Sequence, residues 1–172
     1  MDNLEQRMAA LEAEVRRLRD HHDINQMIVS YGPRADTAND IERTEMLADM
    51  WVEDGLYDVG GYFRPKGHKE LAQSYEGFHF DLVKNGVCHV MMPPYIRIDG
   101  DRAVALNYSC VFRREGEERF YVWRASANRW ELVRTADGWK IETRINRPMT
   151  GDPEALAMMR GIDQLVAQTD RP

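Results

Sequence analysis

The chain is poor in the features that identify several large protein classes. Only 2 of its 172 residues are cysteine, which is too few for a disulfide framework or a cysteine-based zinc cluster, so we interpret Cys88 and Cys110 as reduced, buried thiols. The longest apolar runs, such as residues 87–92, fall far short of the ~20 residues that a membrane-spanning helix needs. The sequence therefore predicts no transmembrane helix.

Positive charge is in deficit, with 23 Lys and Arg residues against 29 Asp and Glu and a net charge of −6. A chain of this sign is repelled by phosphate backbones and anionic lipid headgroups, so we expect no nucleic-acid and no membrane partner. No basic segment followed by an apolar core opens the sequence, so no signal peptide is recognised. We expect a cytoplasmic location.

The common cofactor and metal motifs are also missing. The sequence has no glycine-rich dinucleotide or phosphate loop, no zinc-protease helix, no nucleophile elbow and no EF-hand loop. We therefore expect no cofactor and no metal. Polar residues embedded in apolar segments remain as candidates for chemistry, and they are Tyr31, Asp36, His89 and Arg147.

Helical periodicity dominates the first third of the chain. One apolar face is predicted at the start, and it comprises Leu4, Met8, Leu11, Val15 and Leu18. A second stripe continues to Gly32-Pro33, where proline is expected to bend or restart the helix. Residues 34–54 favour another helix with Asn39 or Asp40 as its N-cap, and a hairpin and a helix over 68–80 follow.

β-strand signals dominate from Cys88 onward. Strands are predicted over 90–98, 103–112, 120–133 and 139–147, joined by tight turns into an antiparallel meander, and a terminal helix over 152–167. Helices followed by such a sheet indicate an α+β fold. We divide the chain into an N-terminal helical arm (1–20), one α+β domain (21–150) and a C-terminal helix and tail (151–172).

Asp36 and His89 suggest acid–base chemistry if both face one cavity. An ionised aspartate bonded to one ring nitrogen fixes the histidine tautomer, and the other nitrogen can accept a proton near neutral pH. The alternative is that Asp36 caps a helix and His89 satisfies a backbone carbonyl. Arg144 alternates with Trp139 and Ile141, so we place it on the solvated face of the sheet.

Six segments in a fixed order resemble the SnoaL-like polyketide-cyclase group of the nuclear transport factor two-like superfamily. They are residues 23–31 followed by Asp36, 47–54, 66–71, 88–90, 98–103 and 137–141. The resemblance implies a cone, in which a strongly curved mixed sheet wraps round the N-terminal helices and leaves one deep pocket. The sequence is similar to cofactor-free lyases of that superfamily, namely hexachlorocyclohexane dehydrochlorinases, scytalone dehydratases and bile-acid 7α-dehydratases.

That resemblance implies specific roles. Asp36 and His89 would form the catalytic dyad, while Tyr31 or Arg147 would polarise a carbonyl or assist a leaving hydroxyl. The second pocket aspartate of the bile-acid enzymes has no match in residues 106–112, so a bile-acid substrate is not implied. The expected substrate contacts are Trp51, His79, Met91, Met92, Tyr95 and Asn107.

The resulting hypothesis is a cofactor-independent lyase, of the dehydratase type, that acts on a small hydrophobic ring compound such as a steroid, polyketide or aromatic metabolite. Isomerisation or retro-aldol C–C cleavage in the same pocket are alternatives. A non-catalytic ligand-binding or assembly subunit is the competing class, because the fold also resembles the small subunit of ring-hydroxylating dioxygenases. The related lyases are trimeric, and with the apolar face of the first helix this predicts a homotrimer.

Overall fold

The computed structural model describes residues 2–167, so residue 1 of the predicted arm and residues 168–172 of the predicted tail lie outside the described residues. Five helices and six strands follow one another in the order α1 (Asp2–Asp36), α2 (Ile41–Ala48), β1 (Trp51–Val59), α3 (Gly67–Gln73), α4 (Phe78–Asn85), β2 (Val87–Met91), β3 (Tyr95–Asp99), β4 (Arg102–Glu115), β5 (Arg119–Thr135), β6 (Gly138–Pro148) and α5 (Pro153–Ala167). None of the described helices combines the length and the apolar composition needed to cross a bilayer.

The strands form one curved, unclosed sheet in the order β1-β6-β5-β4-β2, and β3 pairs with β4 beyond the end of β2. The β1–β6 pair is parallel, and the other pairs are antiparallel. The predicted α+β class and the mixed cone-like sheet are therefore confirmed. The long β4–β5–β6 meander supplies a concave inner face on which the helices pack.

The second half of α1 packs into the core with one face. Ile24, Ile28, Tyr31 and Ala35 follow a spacing of four, three and four residues and are all buried, as expected for one stripe of an amphipathic helix. This stripe contacts β2 and β3. The C-terminal end of α1 is thereby fixed against the edge of the sheet that carries His89.

Gly32 and Pro33 do not restart the helix, because α1 continues through Pro33 to Asp36. Only the last turn loses a backbone hydrogen bond to the proline, and the burial of Ala35 holds that turn in place. Gly32 instead allows α1 and β2 to pack closely, since a Cβ at residue 32 would lie 2.1 Å from the His89 carbonyl oxygen. Glycine thus lets α1 lie directly against the backbone of β2.

Several predicted boundaries shift. Asp40 caps α2 by accepting a 2.9 Å hydrogen bond from the Arg43 N–H, as expected, but Trp51 opens β1 instead of closing a helix. Two helices, α3 and α4, replace the single one predicted over 68–80. Residues 93–94 are proline and separate β2 from β3, since proline cannot donate to the ladder.

The two cysteines are free, but Cys88 is exposed and Cys110 is half-buried. The expectation of two buried thiols was wrong because side chains alternate along β2, and the inward position belongs to His89.

Candidate active site

A cavity of about 320 Å³ lies between the concave face of the sheet and the helices. Aromatic and apolar side chains form most of its wall, among them Tyr31, Tyr57, Tyr75, Trp123, Met91 and Val111. Tyr62, Phe63 and Phe78 also line it and are 80%, 46% and 64% exposed, so they form its mouth. The described part of the chain contributes no Asp or Glu side chain to this wall.

The Asp36 carboxylate and His89 form a close pair at the cavity. Asp36 Oδ1 lies 2.6 Å from His89 Nδ1, and Oδ2 accepts a 2.8 Å hydrogen bond from the His89 backbone N–H. Their side chains are 18% and 13% exposed. Two bonds from one residue fix the carboxylate rigidly, because each of its oxygens has a separate donor.

This pairing determines the histidine tautomer. An ionised carboxylate only accepts hydrogen bonds, so Nδ1 carries the proton and donates. Within residues 2–167 no group bonds Nε2, so in the neutral ring Nε2 is the free acceptor nitrogen, and the ring lines the cavity. The geometry is that of a general base held by an orienting carboxylate.

Three tyrosines, Tyr31, Tyr57 and Tyr75, line the same cavity as His89. The Tyr31 ring lies edge-on to the His89 ring with centroids 6.4 Å apart, and its hydroxyl lies 3.1 Å from that of Tyr75. Burial raises the pKa of Tyr57 and Tyr75 above the ordinary value. Both hydroxyls therefore stay protonated near neutral pH and are available as hydrogen-bond donors.

His79 is a second histidine on the cavity wall. Its ring centroid lies 6.0 Å from that of His89, and its Nε2 donates to the Ala35 carbonyl at 2.8 Å. Burial lowers the pKa of His79. The ring is consequently neutral near pH 7, with Nδ1 as its acceptor nitrogen.

Arg144 lies on the same wall and is only 2% exposed. Its guanidinium carbon lies 3.9 Å from the ring centroid of Tyr31 and 4.2 Å from that of Trp130. Nη2 and Nε donate to Asn128 Oδ1 at 2.9 and 3.3 Å, while Nη1 is buried without a hydrogen-bond partner. The prediction that Arg144 is solvated was wrong.

A bulge in β6 explains the error. Ile141 pairs with Leu132 and Thr143 pairs with Glu131, so Glu142 is an extra residue in the ladder. An extra residue reverses the inward and outward alternation, and Arg144 joins Ile141 on the inner face. The period-two pattern of the sequence contains no sign of this change.

The same bulge removes Arg147 from the cavity, contrary to its predicted catalytic role. Arg147 is buried in a paired ion cluster, donating to Asp58 at 2.8 and 3.0 Å and lying 2.8 Å from Glu154 at the start of α5. The side chain lies between the sheet and that helix.

Of the predicted substrate contacts, His79 and Met91 line the cavity. The other four lie away from the wall. Trp51 is 1% exposed and packs against the tyrosine rings, and Asn107 is held between the Met92 carbonyl and the Trp130 indole. Met92 directly precedes the two prolines that end β2, and Tyr95 directly follows them.

Sequence reasoning missed several residues of the site, among them Tyr57, Tyr75, Arg124 and Arg144. Tyr57 and Tyr75 lie on β1 and just after α3, where the predicted hairpin and single helix gave them no defined face. No metal-binding group of three or more His, Cys, Asp or Glu side chains is found in the part of the chain that the structure describes.

Comparison with known proteins agrees with this fold. The model of the SnoaL-like domain family matches residues 16–145. An NTF2-like protein with a cystatin-like fold from Novosphingobium aromaticivorans is 36% identical, with a TM-score of 0.81, over 87% of this chain and 94% of that chain. No match is found among curated proteins.

More distant structures share the fold alone. A candidate scytalone dehydratase from the same species is 18% identical, with a TM-score of 0.62, over 81% of this chain and 89% of that chain. A Mycobacterium tuberculosis protein of unknown function is also 18% identical, with a TM-score of 0.65, over 92% and 90% of the two chains. From the match over residues 16–145 and the 36% identical structure, the chain belongs to the SnoaL-like domain family of the NTF2-like superfamily.

Proposed function

We propose that this protein is a cofactor-independent lyase that eliminates water from a small, hydrophobic, ring-containing molecule. One observation carries the proposal: His89 is hydrogen-bonded to Asp36 and lies on the wall of an aromatic-lined cavity. The family includes enzymes such as dehydratases, which is consistent with a base in this position.

His89 is the general base of the proposed reaction. Its Nε2 takes a proton from a substrate carbon next to a carbonyl group, and the electron pair of that C–H bond forms an enolate whose charge lies on the carbonyl oxygen. Asp36 stabilises the resulting imidazolium through its 2.6 Å contact with Nδ1.

Tyr31 polarises the carbonyl. Its hydroxyl donates to the developing oxyanion while the Tyr75 hydroxyl, 3.1 Å away, donates to Tyr31. The enolate then expels the β-hydroxyl group, and the imidazolium returns its proton to the leaving oxygen. A carbon–carbon double bond and one water are formed, and His89 is neutral again.

The cavity volume restricts the substrate. A volume of about 320 Å³ is at the lower end of the ~300–1,000 Å³ typical of small-molecule pockets. Compounds of one or two rings fit this volume better than a four-ring steroid. The aromatic wall favours a flat, apolar ring system.

The test is a screen of one- and two-ring β-hydroxy carbonyl compounds, first by thermal shift and then by mass spectrometry for loss of water. On a converted compound, His89→Gln is expected to abolish turnover because the free base is lost. Asp36→Asn is expected to lower kcat by about 10²-fold or more, because the imidazole loses its orienting charge.

His22→Gln is the matched control, since His22 is exposed on α1 away from the cavity. It should retain wild-type turnover, and circular dichroism should show that all three variants are folded. Near-normal turnover by His89→Gln would remove His89 from the mechanism. Ligands that bind without being converted would support a ligand-binding protein instead, and a changed product mass would distinguish C–C cleavage from isomerisation.

A further inference from the structure

The cavity wall contains two arginines, Arg124 and Arg144, and no carboxylate from the described residues. Both side chains have a buried nitrogen without a hydrogen-bond partner, Nε in Arg124 and Nη1 in Arg144. The Asp36 carboxylate is engaged by both N–H groups of His89. The cavity wall therefore carries two guanidinium groups without a carboxylate from the described residues.

Arg144 differs in this respect from Arg147, the other buried arginine among the described residues. Within the described chain, seven arginines have a carboxylate oxygen within 4.0 Å: Arg17, Arg64, Arg102, Arg119, Arg129, Arg134 and Arg147. Arg147, which is almost equally buried, contacts two carboxylates. Arg144 is the more deeply buried of the two and has none.

A buried guanidinium cannot escape its charge by losing a proton, because the Arg side chain stays protonated in proteins. Burial of an unpaired charge is costly, and the amide oxygen of Asn128 with the faces of Tyr31 and Trp130 compensates for it only partly. Water screens a buried charge only weakly, so this charge acts strongly on any group placed in the cavity. An anion bound there would complete the missing pair.

We propose that the cavity binds the ionised oxygen of an aromatic ligand, a phenolate or an aromatic carboxylate, and that Arg144, supported by Arg124, supplies the opposite charge. This inference rests on the proposed function and narrows its substrate class to one- or two-ring oxyanions. The protonated hydroxyl of Tyr57, which also lines the cavity, adds a donor for the anion. The aromatic wall accommodates the ring that bears it.

Binding of a chromophoric phenol tests the proposal without any need for turnover. 4-Nitrophenol is titrated across pH with and without the protein, because its ionised form absorbs visible light. The wild type is expected to lower the pKa of the bound phenol and to bind the phenolate about tenfold or more tightly than uncharged 4-nitroanisole, a difference of ~1.4 kcal/mol. A second pair, 4-nitrobenzoate against 4-nitrobenzamide, determines whether carboxylates are preferred to phenolates.

Variants assign the effect to a side chain. Arg144→Gln is expected to abolish the preference for the anion while 4-nitroanisole still binds, and Arg144→Lys to retain part of it. Arg160→Gln removes an exposed arginine on α5 and should behave as wild type. If Arg144→Gln does not fold, the wild-type titration and Arg124→Gln still test the proposal. The proposal requires that the anion binds more tightly than the neutral compound in at least one of the two probe pairs.

Equal or tighter binding of the neutral compounds by the wild type would overturn the proposal, as would a full anion preference in Arg144→Gln or the absence of any probe binding. His89→Gln separates this inference from the lyase function. If the anion preference persists in His89→Gln and the wild type converts no substrate, the anion site is supported and the proposed lyase function is contradicted. Dehydration of neutral compounds without an anion preference would do the reverse.

Discussion

At the scale of single residues, His79 and His89 show how the engaged ring nitrogen determines what a histidine can do. His89 uses Nδ1 for Asp36 and keeps Nε2 free, whereas His79 uses Nε2 for the Ala35 carbonyl. A carbonyl accepts, so this bond needs only the Nε2 proton of the neutral ring. Burial lowers the pKa of His79 below its ordinary 6.5, although the Ala35 carbonyl and the Asp36 charge oppose the shift.

This shift predicts a loss of stability on mild acidification. Below pH 6.5 the unfolded chain takes up a proton at residue 79 that the folded protein does not bind, so the free energy of unfolding falls as pH decreases until the folded-state pKa is passed. In His79→Gln, urea unfolding between about pH 7.5 and pH 5 should show a smaller decrease than in wild type. The decrease should not vanish, because burial also lowers the pKa of His21.

The exposed His22 supplies the comparison, since His22→Gln should keep the wild-type pH dependence. The carboxylates of Asp20 and Asp58 do not interfere, because their pKa values are lowered below 3.8 and their contributions are lost only at more acidic pH. If the free energy of unfolding of His79→Gln depends on pH as in wild type, the lowered pKa of His79 does not contribute to this dependence.

At the scale of elements, periodicity and turn chemistry predicted most strands and the joining turns, because each is a local property of ten or so residues. Asp36 and His89 were candidates from the residues alone, but their pairing across 53 residues was implied by the family resemblance, since no local pattern brings α1 to β2. The inward direction of side chains after a bulge could not be predicted. Glu142 is the extra residue of β6, and this bulge turns Arg144 into the cavity.

The ion cluster between β1, β6 and α5 is expected to contribute stability and not catalysis. Burial alone raises the pKa of Asp58, but the hydrogen bonds and charge of Arg147 outweigh burial and lower it. Arg147→Met leaves a buried carboxylate without its main partner, so the free energy of unfolding should fall by ~3 kcal/mol or more. Urea denaturation measures this loss, and turnover of a confirmed substrate should persist under conditions in which the variant is folded.

The pair formed by Arg102 and Glu142 is the matched comparison. It has 2.8 and 3.2 Å contacts like those of the buried pair, but its side chains are 67% and 38% exposed. Arg102→Met should therefore cost less than about 1 kcal/mol. Equal losses in the two variants, or a folded Arg147→Met protein that has lost turnover, would contradict a purely structural role.

At the scale of the whole molecule, α1 extends well beyond the body of the fold. Asp20 is the first buried residue of the helix and is held by Arg134 through bonds of 2.7 and 2.8 Å. Residues 3–19 are all exposed, which at 1.5 Å per residue is a projection of about 25 Å. The predicted apolar face lies on this projection, and its members Leu4, Met8, Leu11, Val15 and Leu18 are 66%, 50%, 60%, 45% and 54% exposed.

An apolar helical seam of this length is expected to be covered by other copies of the chain, and we predict a homotrimer. Sedimentation at micromolar concentration should give the mass of three 20.0 kDa chains. Leu11→Glu places a charge in the seam and should shift the protein to smaller species, whereas Ala10→Glu, an equally exposed position off the seam, should not. A monomeric or dimeric wild type would contradict the trimer, and a trimer unaffected by Leu11→Glu would move the subunit contact from α1 to another surface.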